Sequence, residues 1–152
     1  MEKIKIFIGS DYRGFKRKAE LLPYLTSCHD FIEIIDQGVF DDKESDYNEP
    51  AIAVSKLVKE TPGSFGILLC GSAHGVCIQA NRFKGVRAIN AGTPESAKLG
   101  REHDDANVLC LSANSLDLET SKQIIYDFFH TKFGGEERRV RRLKKLDEEN
   151  YD

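Results

Sequence analysis

The sequence predicts an α/β fold built on one five-stranded parallel sheet with helices on both faces. Three observations point to it. Short β-branched or aliphatic runs alternate with amphipathic helical stretches along the chain. One run, Phe65-Gly66-Ile67-Leu68-Leu69-Cys70, is apolar on both faces, as a central parallel strand must be. The segments between strands are long enough to be crossovers, which parallel neighbours require.

In order, residues 4–8 form a β-branched run that ends at Gly9-Ser10-Asp11. Residues 14–27 place Phe15, Ala19, Leu22 and Leu25 at helical spacing. Residues 31–35 read as the second strand, followed by a polar loop to Tyr47. Pro50 suits the first turn of a helix continuing through Ala51, Val54, Leu57 and Val58. The third strand, 65–70, breaks at Gly71-Ser72-Ala73-His74-Gly75 into a helix over 76–81. A fourth strand over 86–89, a helix over 94–102 and a fifth strand over 107–111 follow. A helix over about 116–133 closes the sheet. The expected architecture is a Rossmann-like three-layer αβα sandwich, one domain spanning 1–152. Gly134-Gly135 opens a charged helical tail, 136 to about 150, within a basic segment over 133–152. Its few apolar residues (Val140, Leu143, Leu146) predict packing on a second subunit.

Composition narrows the function classes. The chain has 152 residues, 40% hydrophobic and 31% charged, enough for a core without disulfides or metals. A net charge of −3 gives no argument for nucleic acid, although six bases and two acids crowd into residues 136–145. Neither a signal peptide nor a bilayer-length apolar stretch is expected, so no membrane partner is expected, and the charge balance predicts no nucleic-acid partner. The four cysteines, Cys28, Cys70, Cys77 and Cys110, lack CxxC or Cys/His ligand spacing. Reduced thiols, a cytoplasmic location and no metal or cofactor are the expectation.

Ligands of an open parallel sheet bind beyond the carboxyl ends of its strands. Three segments are expected there: Asp11-Tyr12-Arg13, the stretch Cys70 to Gly75, and His103, whose helix must run back over the sheet. In the second, glycines and small residues let backbone amides point inward, and the next helix adds its positive dipole end. Such a nest holds a phosphate or a developing oxyanion. A thiol at its mouth gains thiolate character, below the reference pKa of about 8.5. The plainer reading of Cys70 is a core thiol before a glycine turn. Asp11 can bind sugar hydroxyls or simply cap a helix. His103 is an acid–base candidate or an ordinary histidine. Arg138, Arg141 and Arg142, at helical spacing, suit a phosphate or a solvated helix face.

Together the segments resemble the B-type ribose-5-phosphate isomerase family, which also contains galactose-6-phosphate isomerase subunits. The likeness runs through Gly9-Ser10-Asp11-x-x-Gly14-Phe15-x-x-Lys18, Ser45-Asp46-Tyr47 and Cys70-Gly71-Ser72-x-x-Gly75. It continues through Ala80-Asn81-Arg82-Phe83-x-Gly85-Val86-Arg87-Ala88, Glu102-His103-x-Asp105-Ala106-Asn107-Val108-Leu109, Gly134-Gly135 and the arginine-rich tail. The resemblance implies an aldose–ketose isomerase with Cys70 as base, because Val76 stands where other members carry a glutamate. It further implies that His103 opens the sugar ring, and that Ser72 with the amides of Gly71, Ala73, His74 and Gly75 holds the enediolate. Asp11, Tyr12, Tyr47, Asp104 and Asn114 would line the substrate, and Arg138 and Arg142 would bind its phosphate. A homodimer with shared sites, or a tetramer of such pairs, is implied as well.

Departures from the family pattern are Tyr12 and Arg139 for histidines, Asp104 for asparagine, Asn114 for a phosphate-binding arginine and Ala73 for glycine. They surround the distal end of the substrate, so ribose 5-phosphate is weighed against allose or galactose 6-phosphate. A non-catalytic phosphosugar- or nucleotide-binding module is the rival from another class, and nucleic-acid binding by the basic tail is a third reading.

Overall fold

The computed structural model describes residues 2–28 and 30–148. Five strands, β1 (Ile4–Ser10), β2 (Ile32–Asp36), β3 (Phe65–Cys70), β4 (Ala88–Asn90) and β5 (Val108–Ser112), form one parallel sheet in the order β2-β1-β3-β5-β4. Six helices connect or follow them: α1 (Phe15–Cys28), α2 (Asn48–Glu60), α3 (His74–Ala80), α4 (Pro94–Asp104), α5 (Leu118–Phe129) and α6 (Glu137–Glu148).

Period-two alternation divides the strand residues between two cores. On one face Ile6, Ile8, Ile67, Leu69, Leu109 and Leu111 meet Leu21 and Leu25 of α1, Ala97 of α4 and Ile124, Ile125 and Phe128 of α5. On the other, Phe7, Leu68, Cys70, Val108 and Cys110 meet Ala51, Val54 and Val58 of α2 and Val76 and Ala80 of α3. Gly66 is required here, because a Cβ would stand 2.7 Å from Val54 Cγ1.

The third strand matches its sequence prediction, and the other differences have local causes. β1 runs two residues further because Ser10 continues the ladder to Leu69. β4 starts two residues late, since Arg87 N donates to the Asn107 side chain at 2.7 Å instead of extending the sheet. α5 stops at Phe129, and Thr131 Oγ1 turns back onto the Asp127 carbonyl at 2.6 Å. The tail helix forms as expected through Glu148; the rest of that prediction, to about residue 150, and the side chain of Cys28 lie outside the described residues. α6 buries none of its residues and touches the domain mainly at α4 and through an Arg87–Asp147 ion pair of 3.1 Å.

Sheet order decides where a ligand can sit. The chain leaves β1 for β2 on one side and returns to β3 on the other, so the connections diverge between β1 and β3 and open a crevice at their carboxyl ends.

Candidate active site

A cavity of about 290 Å³ occupies that crevice, lined by Asp11, Arg13, Tyr47, Cys70, Gly71, Ser72, Gly75 and Asn114. The lining gathers from the carboxyl ends of β1, β3 and β5 and from the residue before α2. Asp11 follows β1, is 6% exposed, and uses Oδ1 to accept the backbone N–H groups of Arg13 and Gly14, both at 3.0 Å. Asp11 thus caps the turn into α1 and also lines the cavity, combining both uses open to it. Burial, outweighing those hydrogen bonds, pushes its carboxyl pKa above the usual 3.8.

Cys70 ends β3 on the α2–α3 side and is 5% exposed. The loop after it turns at Ala73, whose φ of 68° lies in the left-handed region that glycine occupies without strain. A glycine would take this backbone without strain, whereas Ala73 carries a Cβ in it. Among the described residues, the N–H groups of Ser72, Ala73 and Gly75 donate to no protein acceptor, whereas His74 N is taken by Ser72 Oγ at 3.2 Å. Because α3 has only seven residues, the nest's strength lies in these free amides more than in a helix dipole.

Tyr47 precedes α2 and packs its ring on Gly75, where a Cβ would come within 2.8 Å of two ring carbons. Asn114 follows β5; its backbone N–H donates to the Gly71 carbonyl at 3.0 Å. Beneath the loop lie two further thiols. Burial pushes the Cys110 thiol well up, and its hydrogen bond to Cys77 holds Cys77 below the usual 9.0. Tyr12 and His74 stand outside this cavity. The Tyr12 hydroxyl accepts from Arg13 Nε at 3.1 Å. His74 Nδ1 lies 2.9 Å from Asn90 Nδ2 and borders a neighbouring cavity of about 310 Å³.

His103 corrects the sequence reading. It occupies the last turn of α4, just ahead of β5, and therefore lies at the amino edge of the sheet rather than the carboxyl edge. The five residues of β5 alone separate the edges by roughly 16 Å. The helix does run back over the sheet, and that return carries its end away from the crevice. His103 there shares its surroundings with Glu136, whose carboxyl is held below the usual 4.5 mainly by Arg139 at 3.2 Å and also by Arg138 at 3.0 Å and His103. Asp104 borders a separate cavity of about 360 Å³ with Arg87 and Asp147. Arg142 is exposed on α6 and makes no ion pair among the described residues.

Of the site residues expected from the sequence, Asp11, Tyr47, Cys70, Gly71, Ser72, Gly75 and Asn114 meet in this cavity, whereas His103, Asp104, Arg138 and Arg142 do not line it. The lining residue missed from sequence is Arg13. The segment Asp11-Tyr12-Arg13 was expected at this edge, but Arg13 was given no role in it. Among the described residues no cluster of three or more His, Cys, Asp or Glu side chains could hold a metal ion, and no helix is long and apolar enough to cross a membrane.

Residues 6–146 match the family described as Ribose/Galactose Isomerase. The chain is 35% identical to ribose-5-phosphate isomerase B of Escherichia coli over 131 residues, covering 86% of this chain and 87% of that protein. It superposes with a TM-score of 0.91 on a ribose 5-phosphate isomerase from Thermotoga maritima, at 36% identity, over 96% of this chain and 99% of that one. The Mycoplasma genitalium enzyme, solved with bound ribulose 5-phosphate, gives a TM-score of 0.89 at 35% identity, over 96% of this chain and 95% of that one.

Proposed function

The chain belongs to the ribose/galactose isomerase family, and on that premise we propose that it interconverts D-ribose 5-phosphate and D-ribulose 5-phosphate. The observation that carries the reading is Cys70 at the wall of a cavity bounded by the unengaged amides of Ser72, Ala73 and Gly75. A general acid, His103, protonates the ring oxygen as its bond to C1 breaks, while the anomeric hydroxyl gives its proton to water and becomes the aldehyde oxygen. The Cys70 thiolate then removes the proton from C2, and the electron pair moves to the C1 oxygen. The free amides and the Ser72 hydroxyl hold that charge, which develops only as the proton leaves. Return of the proton to C1, with the O2 proton passing to O1, gives the ketose. Asp11, a buried acceptor, and Tyr47 orient the sugar hydroxyls.

The base and the ring-opening acid lie at opposite sheet edges of one protomer, so the reaction requires two copies, each presenting one edge to the other. The character of α6 supports this: it buries nothing, and Val140 and Leu146 are 48% and 62% exposed. A second copy would cover that surface and bring His103, Asp104, Arg138 and Arg142 to the crevice, making a homodimer of shared sites. The unpaired thiols Cys70, Cys77 and Cys110 fit a reducing, cytoplasmic setting.

A coupled isomerase assay with ribose 5-phosphate, allose 6-phosphate and galactose 6-phosphate, with EDTA present, tests the assignment. Turnover of the pentose phosphate in chelator is expected. Cys70→Ala is expected to abolish it while substrate still binds, and appreciable residual turnover would refute the cysteine base.

A further inference from the structure

The crevice is lined by one cationic side chain, Arg13, which the proton-transfer scheme leaves without a task. Its stem lies across the loop at Gly71. A Cβ there would stand 3.1 Å from Arg13 Cδ and 3.0 Å from Asn114 Nδ2, so the absence of a side chain leaves room for both the arginine stem and the amide over the loop. Nε donates to the Tyr12 hydroxyl at 3.1 Å, with the guanidinium carbon 5.6 Å from the ring centroid. That anchor occupies the Nε side and leaves both terminal nitrogens, the end that matches two oxygens of a phosphate at once.

Neighbouring cations are committed elsewhere. Lys18 Nζ is 2.8 Å from Asp36 and 2.6 Å from the Val39 carbonyl, and Arg17 is held by the Leu116 carbonyl and Ser121. Arg13 makes no ion pair among the described residues, although Asp11 is close in sequence. Asp11 spends Oδ1 on two backbone donors and stays an acceptor of hydroxyl protons. A carboxylate repels a phosphate, so the two ends of the crevice are chemically distinct: Asp11 suits the sugar, and the Arg13–Asn114 rim suits the anion.

We propose that Arg13, steadied by Tyr12 and facing the Asn114 amide, grips the phosphate of the substrate within the protomer's own cavity. The sugar-phosphate substrate follows from the isomerase reading, but the anion site does not depend on the reaction. Tyr12 is on this account a positioning residue, acting through the guanidinium.

The test pairs steady-state kinetics on ribose 5-phosphate with calorimetric binding of inorganic phosphate to the full chain. Arg13 is exposed, so Arg13→Ala leaves the fold intact, which circular dichroism checks. Arg13→Ala is expected to raise KM about tenfold or more with kcat little changed, and to weaken phosphate binding by a similar factor. Arg13→Lys restores part of the loss, because a single ammonium lacks the fork. Tyr12→Phe falls between wild type and Arg13→Ala. KM and phosphate affinity both within twofold of wild type in Arg13→Ala would overturn the proposal, as would a KM rise with phosphate affinity unchanged, or no phosphate binding to the wild type. If phosphate affinity falls as expected while no sugar phosphate is isomerised by the wild type, the anion site stands and the isomerase reading fails.

Discussion

Replacing Gly75 by alanine sets two effects against each other that the structure allows to be weighed. The new methyl would lie 2.8 Å from two carbons of the Tyr47 ring. Ordinary carbon–carbon contact is about 3.5–4.0 Å, so ring or backbone must yield by roughly 0.7 Å or more. In the helix's favour, Ala is better than Gly by up to about 1 kcal/mol in a helix interior, and by less in this first turn. Overpacking in a rigid core costs about 1–3 kcal/mol. Here the lower end applies, because Tyr47 is 39% exposed and its ring can swing outward. The net loss is about 1 kcal/mol, or roughly 3 °C in Tm for a domain of this size. The ring, however, leaves its place on the cavity wall, and a misplacement of about 1 Å in a substrate-positioning group can cost about 100-fold in rate. Thermal unfolding and kcat/KM on ribose 5-phosphate should therefore diverge, with a small drop in Tm and a large drop in activity. Adding Tyr47→Ala removes the clash, so the two substitutions should be non-additive in stability. An unchanged kcat/KM would refute the argument that Gly75 seats Tyr47.

Two inactive variants should repair one another: a one-to-one mixture of Cys70→Ala and His103→Asn chains, unfolded and refolded together, pairs intact halves in one site of each mixed dimer. About a quarter of wild-type activity is expected, and none would rule out sites built by two copies. For Asp11→Asn, burial holds the folded carboxyl above its usual 3.8, so folding favours the protonated form, and that stabilisation is lost as pH rises through the folded pKa. Asparagine keeps the acceptor without the charge, so denaturant unfolding should show the variant gaining on wild type from about pH 4 towards neutrality. Parallel curves would contradict the burial cost. Lys18→Met would remove the ammonium shared by Asp36 and the Val39 carbonyl, leaving Asp36 with the Gly38 N–H as its donor. The loss should be about 3 kcal/mol, at the low end for a broken buried pair because Asp36 is 25% exposed, and a loss below about 1 kcal/mol by urea unfolding would count against it.

Much of this molecule is legible along the chain because the signals are local. The run 65–70 is apolar at every position, and only a strand buried on both faces has a use for that pattern. Gly71 and Gly75, flanking small residues after Cys70, announce a loop whose amides are free to turn inward. Asp11 sits where a strand ends and a helix begins, which is already enough to place it at a carboxyl edge. Boundaries were less legible where a side chain competes with the backbone. Asn107 takes the N–H of Arg87 and shortens β4, a contact across 20 residues that no window of sequence displays.

His103 marks the limit of such reading. The family resemblance implies that it acts together with Cys70, yet a single chain holds the two at opposite edges of the sheet. A helix that returns antiparallel to its strand must end where the next strand begins, so a residue in its last turn lies a full strand length from the crevice. Arg13 was hidden for a related reason: nothing in Asp11-Tyr12-Arg13 says which of three side chains faces a cavity formed mainly by the end of β3 and the loop after it, Tyr47 before α2 and Asn114 beyond β5. The alternation of strands and helices and the small-residue loop at 71–75 are written in the chain itself, since each depends on neighbours a few positions apart. The strand order, the crevice between β1 and β3, the arginine at its rim and the distance of His103 from Cys70 emerge only in three dimensions. Those depend on which distant segments pack together, and packing is a property of the whole sheet.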